Sequence, residues 1–190
     1  QLACARWIDV RAFGQVFAFK KGKKAEADVG DAVSVGIRGP VSIQSAFSIE
    51  PVSITSLQIT KSVNLETDAD PDKKGADTMG MKHRVDSGTY VAYGAINVQL
   101  AEKTGFSEED AERIKEALRT LFVNDETSAR PAGSMEVVKL FWWKHNCSTG
   151  QYSSARVHRS LHISQGKQNG ELSLTLDPLP GLNVEELEGE

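Results

Sequence analysis

Residues 57–97 constrain the fold more than any other stretch. LQITKSV (Leu57–Val63) reads as a strand, NLETDADPDKKGADT (Asn64–Thr78) as a polar, acidic loop, and MGMKHRVDSGTYVAYGAIN (Met79–Asn97) as the return. The return begins glycine-broken and basic and ends strand-like, so the whole is an interrupted β-hairpin. Two methionines, a lysine, a histidine and an arginine on one arm of a long excursion do not suit a packed core. They suit a projecting finger that touches an anionic polymer and wedges an apolar side chain into it.

The flanking segments supply a body for such a finger. IDVRAFGQVFAF (Ile8–Phe19) is apolar, with Phe13, Val16 and Phe17 at near-helical spacing around Gly14, and KKGKKAEADVGD (Lys20–Asp31) reads as a charged loop. AVSVGIRGPVSIQSAFSIEPV (Ala32–Val52) alternates apolar and polar residues on either side of Gly39-Pro40, which predicts strand, turn, strand. TYVAYGAI (Thr89–Ile96) reads as one strand. The clearest helix is SEEDAERIKEALRTLF (Ser107–Phe122): Ser107 caps it, Asp110 completes a capping box, and Ile114, Ala117, Leu118, Leu121 and Phe122 form one apolar stripe. SARPAGS (Ser128–Ser134) is a turn and MEVVKLFWWK (Met135–Lys144) a strand. The chain after Cys147 reads as loop until HISQGKQNGELSLTLD (His162–Asp177), which predicts a last hairpin. LPGLNVEELEGE (Leu179–Glu190) is rich in proline and acids and predicts a frayed tail. This order points to an α+β fold with helices on one face of a sheet. The ferredoxin-like split βαβ is the natural candidate, and its open sheet face is a common RNA platform.

Totals bound the function classes. The chain has 190 residues, 39% of them hydrophobic and 25% charged, which fits one globular domain with a real core. No apolar run approaches the roughly 18 residues that cross a bilayer. The opening QLACARWIDVRAFG has neither a basic start nor a continuous apolar stretch, so no signal peptide is expected, and Gln at position 1 suggests a fragment or a processed chain. Cys4 and Cys147 belong to no ligand-like cluster and read as two reduced thiols. The net charge of −4 does not decide the partner, because six acids and no base lie in residues 171–190. Setting those aside leaves 20 acids against 22 bases, a charge of +2 over residues 1–170, so the body can carry a basic groove.

Several segments together resemble one known family. They are DVRAFG (Asp9–Gly14), IRGPVSIQSAFSIEPVSITSLQITKSVN (Ile37–Asn64), DTMGMKHRVDSGTYVAYGAIN (Asp77–Asn97), TGFSEEDAERIKEALRTLF (Thr104–Phe122), ARPAGSMEV (Ala129–Val137), WWKH (Trp142–His145) and GQYSSARVHRSL (Gly150–Leu161). In order and spacing they are similar to the Cas-seven family, the multi-copy backbone subunit of the type I-C CRISPR Cascade complex within the RAMP superfamily. The resemblance covers roughly residues 5–165. It implies a modified ferredoxin-like, RNA-recognition (RRM-like) palm over residues 1–170, with residues 57–93 inserted as a long β-hairpin thumb and residues 171–190 as an acidic tail. Members normally begin with an extra region holding the first palm strand; nothing here matches it, so an N-terminally incomplete chain is expected. The implied partners are CRISPR RNA, the target DNA strand paired to it, other copies of the chain and other Cascade subunits, with no membrane. A cytoplasmic, non-enzymatic role in antiviral defence, without cofactor or metal, is expected.

Backbone recognition without sequence preference needs cations, hydroxyls and amides aimed at phosphate oxygens. Arg38, Ser42, Gln44 and Ser45 supply that chemistry, with Ser42 and Gln44 sharing a strand face opposite Val41, Ile43 and Ser45. A solvated strand face is the plainer reading of the same residues. Lys61, Lys82, His83 and Arg84 flank the acidic loop as phosphate contacts, and Met79 and Met81 are the wedging side chains. Lys73 and Lys74 sit among acids and read as solubilising, while Arg130, Arg156 and Arg159 are lesser candidates that bind RNA, face a neighbouring subunit or are simply surface.

Three rivals stand beside this reading. RAMP relatives include metal-independent endoribonucleases, and His83 with Lys82 and Tyr90 offers general acid–base groups, although no nucleophile–base pairing is evident. His158 and His162 are four apart with His145 nearby, but no further ligand type joins them at metal spacing. A structural homo-oligomer with incidental RNA contacts is the third, since head-to-tail contacts are open-ended.

Overall fold

The computed structural model describes residues 2–18, 34–60, 79–166 and 171–190. Two short helices, Leu2–Arg6 (α1) and Ile8–Phe13 (α2), come first. The helical spacing around Phe13, Val16 and Phe17 is fulfilled only as far as Phe13. Gly14 takes φ 82°, a left-handed value that favours glycine and ends α2. From there Gly14–Ala18 (β1) runs antiparallel to Ser34–Arg38 (β2), with Gly14 opposite Arg38 and Phe17 opposite Val35. Gly14 and Gly39 also approach backbone to backbone: a Cβ on Gly14 would run into the Ile37 carbonyl, and one on Gly39 into that of Ala12. The charged loop expected at residues 20–31 lies outside the described residues.

The expected strand, turn, strand around Gly39-Pro40 is present as β2 and Val41–Ile43 (β3). The single strand expected over residues 89–96 is instead two, Tyr90–Val91 (β7) and Gly94–Ile96 (β8). β3 pairs with β8, Val41 opposite Ile96, and the Gln44 amide donates to the Tyr93 carbonyl at 2.7 Å. Phe47–Ser48 (β4) pairs with β7, and Ile54–Thr60 (β5) pairs with Met79–Val85 (β6). These antiparallel ladders make a mixed α and β fold of small sheets.

The chain divides into two compact units. One comprises Gln1–Gln44, Tyr93–His162 and Thr175–Glu190; the other comprises Ser45–Ala92 and Ile163–Leu174. In the first, Ala12, Val41 and Phe106 are buried together, with Ile96, Ala101, Ala111 and Ile114 packed against them. Val98–Thr104 (α3), which the periodicity did not reveal, brings Ala101 to that core. Its ends are chemically marked: the Asn97 side chain accepts from the Leu100 amide at 3.0 Å, and Gly105 closes it at φ 77°.

Helix Glu108–Arg119 (α4) starts as the sequence predicts. The Ser107 hydroxyl accepts from the Asp110 amide at 3.2 Å, and Asp110 Oδ2 accepts from the Ser107 amide at 2.9 Å. Asp110 does more than complete this box. Arg11 grips it bidentately, Nε to Oδ2 at 2.8 Å and Nη2 to Oδ1 at 2.7 Å, while Arg11 Nη1 donates to the Cys4 carbonyl at 2.6 Å. α1, α2 and the start of α4 therefore meet at one carboxylate that is only 3% exposed.

The C-terminal stretch departs most from expectation. Val184–Glu188 (β12) pairs antiparallel with Lys139–Trp143 (β9), Leu187 opposite Leu140 and Glu185 opposite Trp142. A frayed tail follows from proline and acid content alone. Here the acids meet cations: Lys115 holds Glu185 at 2.8 Å, Lys139 holds Glu188 at 2.9 Å, and Arg119 holds Glu190 at 2.8 Å. Such half-exposed pairs add little stability each, but they select the register in which every acid has a partner. Ser154–Arg159 (α5) is, like α1 and α3, a helix the periodicity did not reveal, capped by Ser153. The predicted last hairpin is present as Leu161–Gln165 (β10) and Leu172–Leu176 (β11).

The Arg11 guanidinium holds the Asp110 carboxyl well below the usual carboxylate range. The unfolded chain therefore takes up that proton first on acidification. The contribution of the pair is complete above about pH 4 and is lost progressively as pH falls below it. Asp110→Asn should cost about 3 kcal/mol in urea unfolding at neutral pH. The difference from wild type should shrink at pH 3; a constant difference would contradict the pair.

Candidate nucleic-acid interface

The β5–β6 ladder carries most of the candidate residues in the second unit. The stretch Met79–Arg84 was expected to be glycine-broken, yet Gly80 sits within the regular strand β6, opposite Ile59. All seven residues of β6 are exposed. Because side chains alternate across a strand, the ladder sorts the candidates. Met79, Met81 and His83 share a face with Thr60, Gln58 and Ser56, their register partners. Lys82 and Arg84 share the other face with Leu57 and Thr55. Lys82 and Arg84 are thus separated from the wedge methionines by the thickness of a sheet, while His83, also expected to contact phosphate, lies on the methionine face.

Each face has its own chemistry. On the methionine face, Gln58 Nε2 donates to Met79 Sδ at 3.0 Å, and Ser56 Oγ lies 2.8 Å from His83 Nδ1. Met79 and Met81 remain 64% and 56% exposed, so they fill no core. On the other face, Arg84 Nε donates to Asp86 Oδ1 at 3.3 Å. The Thr55 hydroxyl, 2.8 and 2.7 Å from the two Asp86 oxygens, holds that carboxyl below its ordinary range, and Ser53 and Arg84 add to the effect. Asp86 is therefore a fixed negative charge beside Arg84. Arg84 and Asp86 are two apart on an extended arm, a spacing the sequence displayed. Lys61 lies outside the described residues.

In the first unit, Arg38 ends β2 and is exposed, with no carboxylate partner among the described residues. Ser42 and Gln44 are exposed as well, and Ser42 Oγ donates to the Ala95 carbonyl at 3.3 Å, across the β3–β8 pair. Ser45 is exposed and belongs to the second unit. Most other described cations are already neutralised: Arg113 by Glu109, Lys115 by Glu112, Arg119 by Glu116, Arg130 by Asp125, and Lys144 by Glu108. Arg130 is thereby weakened as an RNA contact, whereas Arg38, Arg156 and Arg159 form no ion pair among the described residues.

The acid–base trio imagined from His83, Lys82 and Tyr90 is not assembled. Lys82 is on the face opposite His83, and Tyr90 is paired with Ser48. A pairing that sequence spacing concealed is present instead, Ser56 with His83, because only the hairpin register brings positions 27 apart together. The remaining histidines are engaged: His145 Nδ1 accepts from the Gln151 amide at 3.0 Å, His158 stacks on Tyr93, and His162 meets Asp177 at 2.9 Å. Among the described residues, no three His, Cys, Asp or Glu gather as metal ligands, and no helix is long and apolar enough to cross a membrane.

The sequence profile of the family described as CRISPR-associated protein Cas7 matches residues 1–176. No curated protein matches the chain.

If the Lys82–Arg84 face meets phosphate, Asp86 opposes it. Asp86→Asn should tighten binding to single-stranded RNA several-fold and steepen the log–log salt dependence by roughly 0.7, the increment for one additional phosphate contact on a single strand. Filter binding across a salt series reads this; weaker binding by Asp86→Asn would remove that face from the interface.

Proposed function

The chain belongs to the Cas7 family of CRISPR-associated proteins, and on that premise we propose that it is an RNA-binding backbone subunit of a type I-C interference complex. Copies line up head-to-tail on CRISPR RNA, beside other Cascade subunits, and present the guide to the target DNA strand in the cytoplasm. The role is architectural rather than catalytic, and needs no cofactor. The thumb expected over residues 57–93 is extended here to the antiparallel arms Phe47–Thr60 and Met79–Val91, and the β2–β3–β8 region belongs to an RRM-like palm.

One observation carries this reading: a seven-residue-per-arm ladder that is exposed along β6 and bears cations on one face and methionines on the other. Two strands alone are marginal in water, and this ladder leaves Ile54, Ile59, Met79 and Met81 more than half exposed. Apolar surface left exposed on a ladder is usual for something that docks. A two-faced blade can lay its cations along a phosphate chain while its methionines press on unstacked bases or on the next copy. Arg38, exposed and without an ion pair among the described residues, adds a charge for phosphate in the palm.

The Ser56–His83 contact favours a second reading, a RAMP-type metal-independent endoribonuclease with His83 as general base. Neither residue is buried, and among the described residues no carboxylate orients the ring, so the architectural reading stands first. Discrete products from labelled CRISPR repeat RNA, lost in His83→Ala, would reverse that order.

Titration of the chain with non-specific single-stranded RNA at several salt concentrations should give a steep salt slope with little sequence preference. Arg38→Gln with Lys82→Gln should flatten the slope by about 1.4, two contacts at about 0.7 each. Salt-insensitive, sequence-specific binding, or none, would overturn the proposal.

A further inference from the structure

We propose a second phosphodiester-binding site in the first unit, a cleft lined by Arg156, Arg159, Ser160, Asp177, Pro178 and Leu179. The inference deepens the proposed function and rests on its nucleic-acid reading. Its anion-holding groups are the guanidiniums of Arg156 and Arg159, both on α5 and both exposed.

Three observations carry it. First, neither arginine has a carboxylate partner among the described residues, in a chain where most described cations do. The one carboxylate among the lining residues, Asp177, accepts from His162 Nε2 at 2.9 Å through its Oδ2. Second, the cleft is held in shape. The Tyr152 hydroxyl donates to the Pro180 carbonyl at 2.7 Å, Gln151 Nε2 donates to the Gly181 carbonyl at 2.6 Å, and the Asp177 amide donates to the Ser160 carbonyl at 2.8 Å. Val157 and Ser160 are buried, with the Ser160 hydroxyl donating to the Val157 carbonyl at 2.7 Å. Third, the Arg156 guanidinium lies over the Tyr152 ring, 4.6 Å from its centroid. Stacking on an aromatic face fixes the plane of the fork without consuming its N–H donors, which suits bidentate contact with phosphate oxygens. A helix C-terminus attracts cations on its own account, but that requires neither a cleft nor a held guanidinium.

The test compares oligouridine and oligothymidine of equal length, titrated across a salt series against wild type, Arg156→Gln/Arg159→Gln and Arg156→Lys/Arg159→Lys. The Gln pair should flatten the salt slope by about 1.4, at about 0.7 per phosphate released. The Lys pair should keep the slope and lose several-fold in affinity, because a point charge replaces the fork. Loss on both polymers identifies the shared phosphodiester; loss on oligouridine alone identifies RNA. Arg159→Gln alone, with an unchanged melting temperature, separates binding from folding. An unchanged slope in a Gln pair whose wild type binds steeply overturns the site and leaves the proposed function standing; no binding by wild type overturns both. Intact RNA binding with lost association between copies in light scattering assigns the cleft to a neighbour's carboxylate and also overturns the proposal.

Discussion

The first unit depends on the Asp110 carboxylate, which is asked to do three things at once. It caps α4, it receives both prongs of Arg11, and through Arg11 it reaches the Cys4 carbonyl of α1. A carboxylate this buried is costly unless its lone pairs are filled, and here they are filled by groups from separate elements. The pair therefore acts as a joint. It sets where α2 lies against α4, and so where Ala12 meets Val41 and Phe106. Gly14 follows one residue after α2, and its close approach to Ile37 and Gly39 puts β2 beside β1, with Arg38 at the end of that strand. Position of a candidate RNA contact thus traces back to a cap.

The second unit is governed by the period of two along a strand. Six consecutive residues, Met79–Arg84, hold almost every side chain that the thumb reading needs, and a ladder cannot present them together. It makes a blade with a methionine side and a cation side. Such a blade suits insertion between two surfaces better than a flat grip on one. Asp86, held ionised by the Thr55 hydroxyl, then tunes the cation side by sharing Arg84.

What was legible in the sequence is what short-range chemistry decides. Ser107 and Asp110 announced the start of α4 because a capping box is three residues long. The family resemblance was carried by ordered segments, and the Cas7 profile bears out membership. Helices α3 and α5 escaped because seven and six residues show too little periodicity, although Asn97 with Gly105 and the Ser153 cap marked their ends. The C-terminal strand escaped for a different reason: Glu185, Glu188 and Glu190 look like a solvated tail until Lys115, Lys139 and Arg119 are brought to them by the fold. Long-range complementarity of this kind leaves no local trace. The Ser56–His83 contact is the same case within a hairpin, since it depends on register.

On the proposed function, single-stranded RNA lies against the β5–β6 blade. Amide hydrogen exchange with and without oligouridine tests it most directly. Slowed exchange is expected in residues 54–60 and 79–85, with the amides of α4 unchanged. RNA binding that leaves both strands exchanging at their free rates would contradict it.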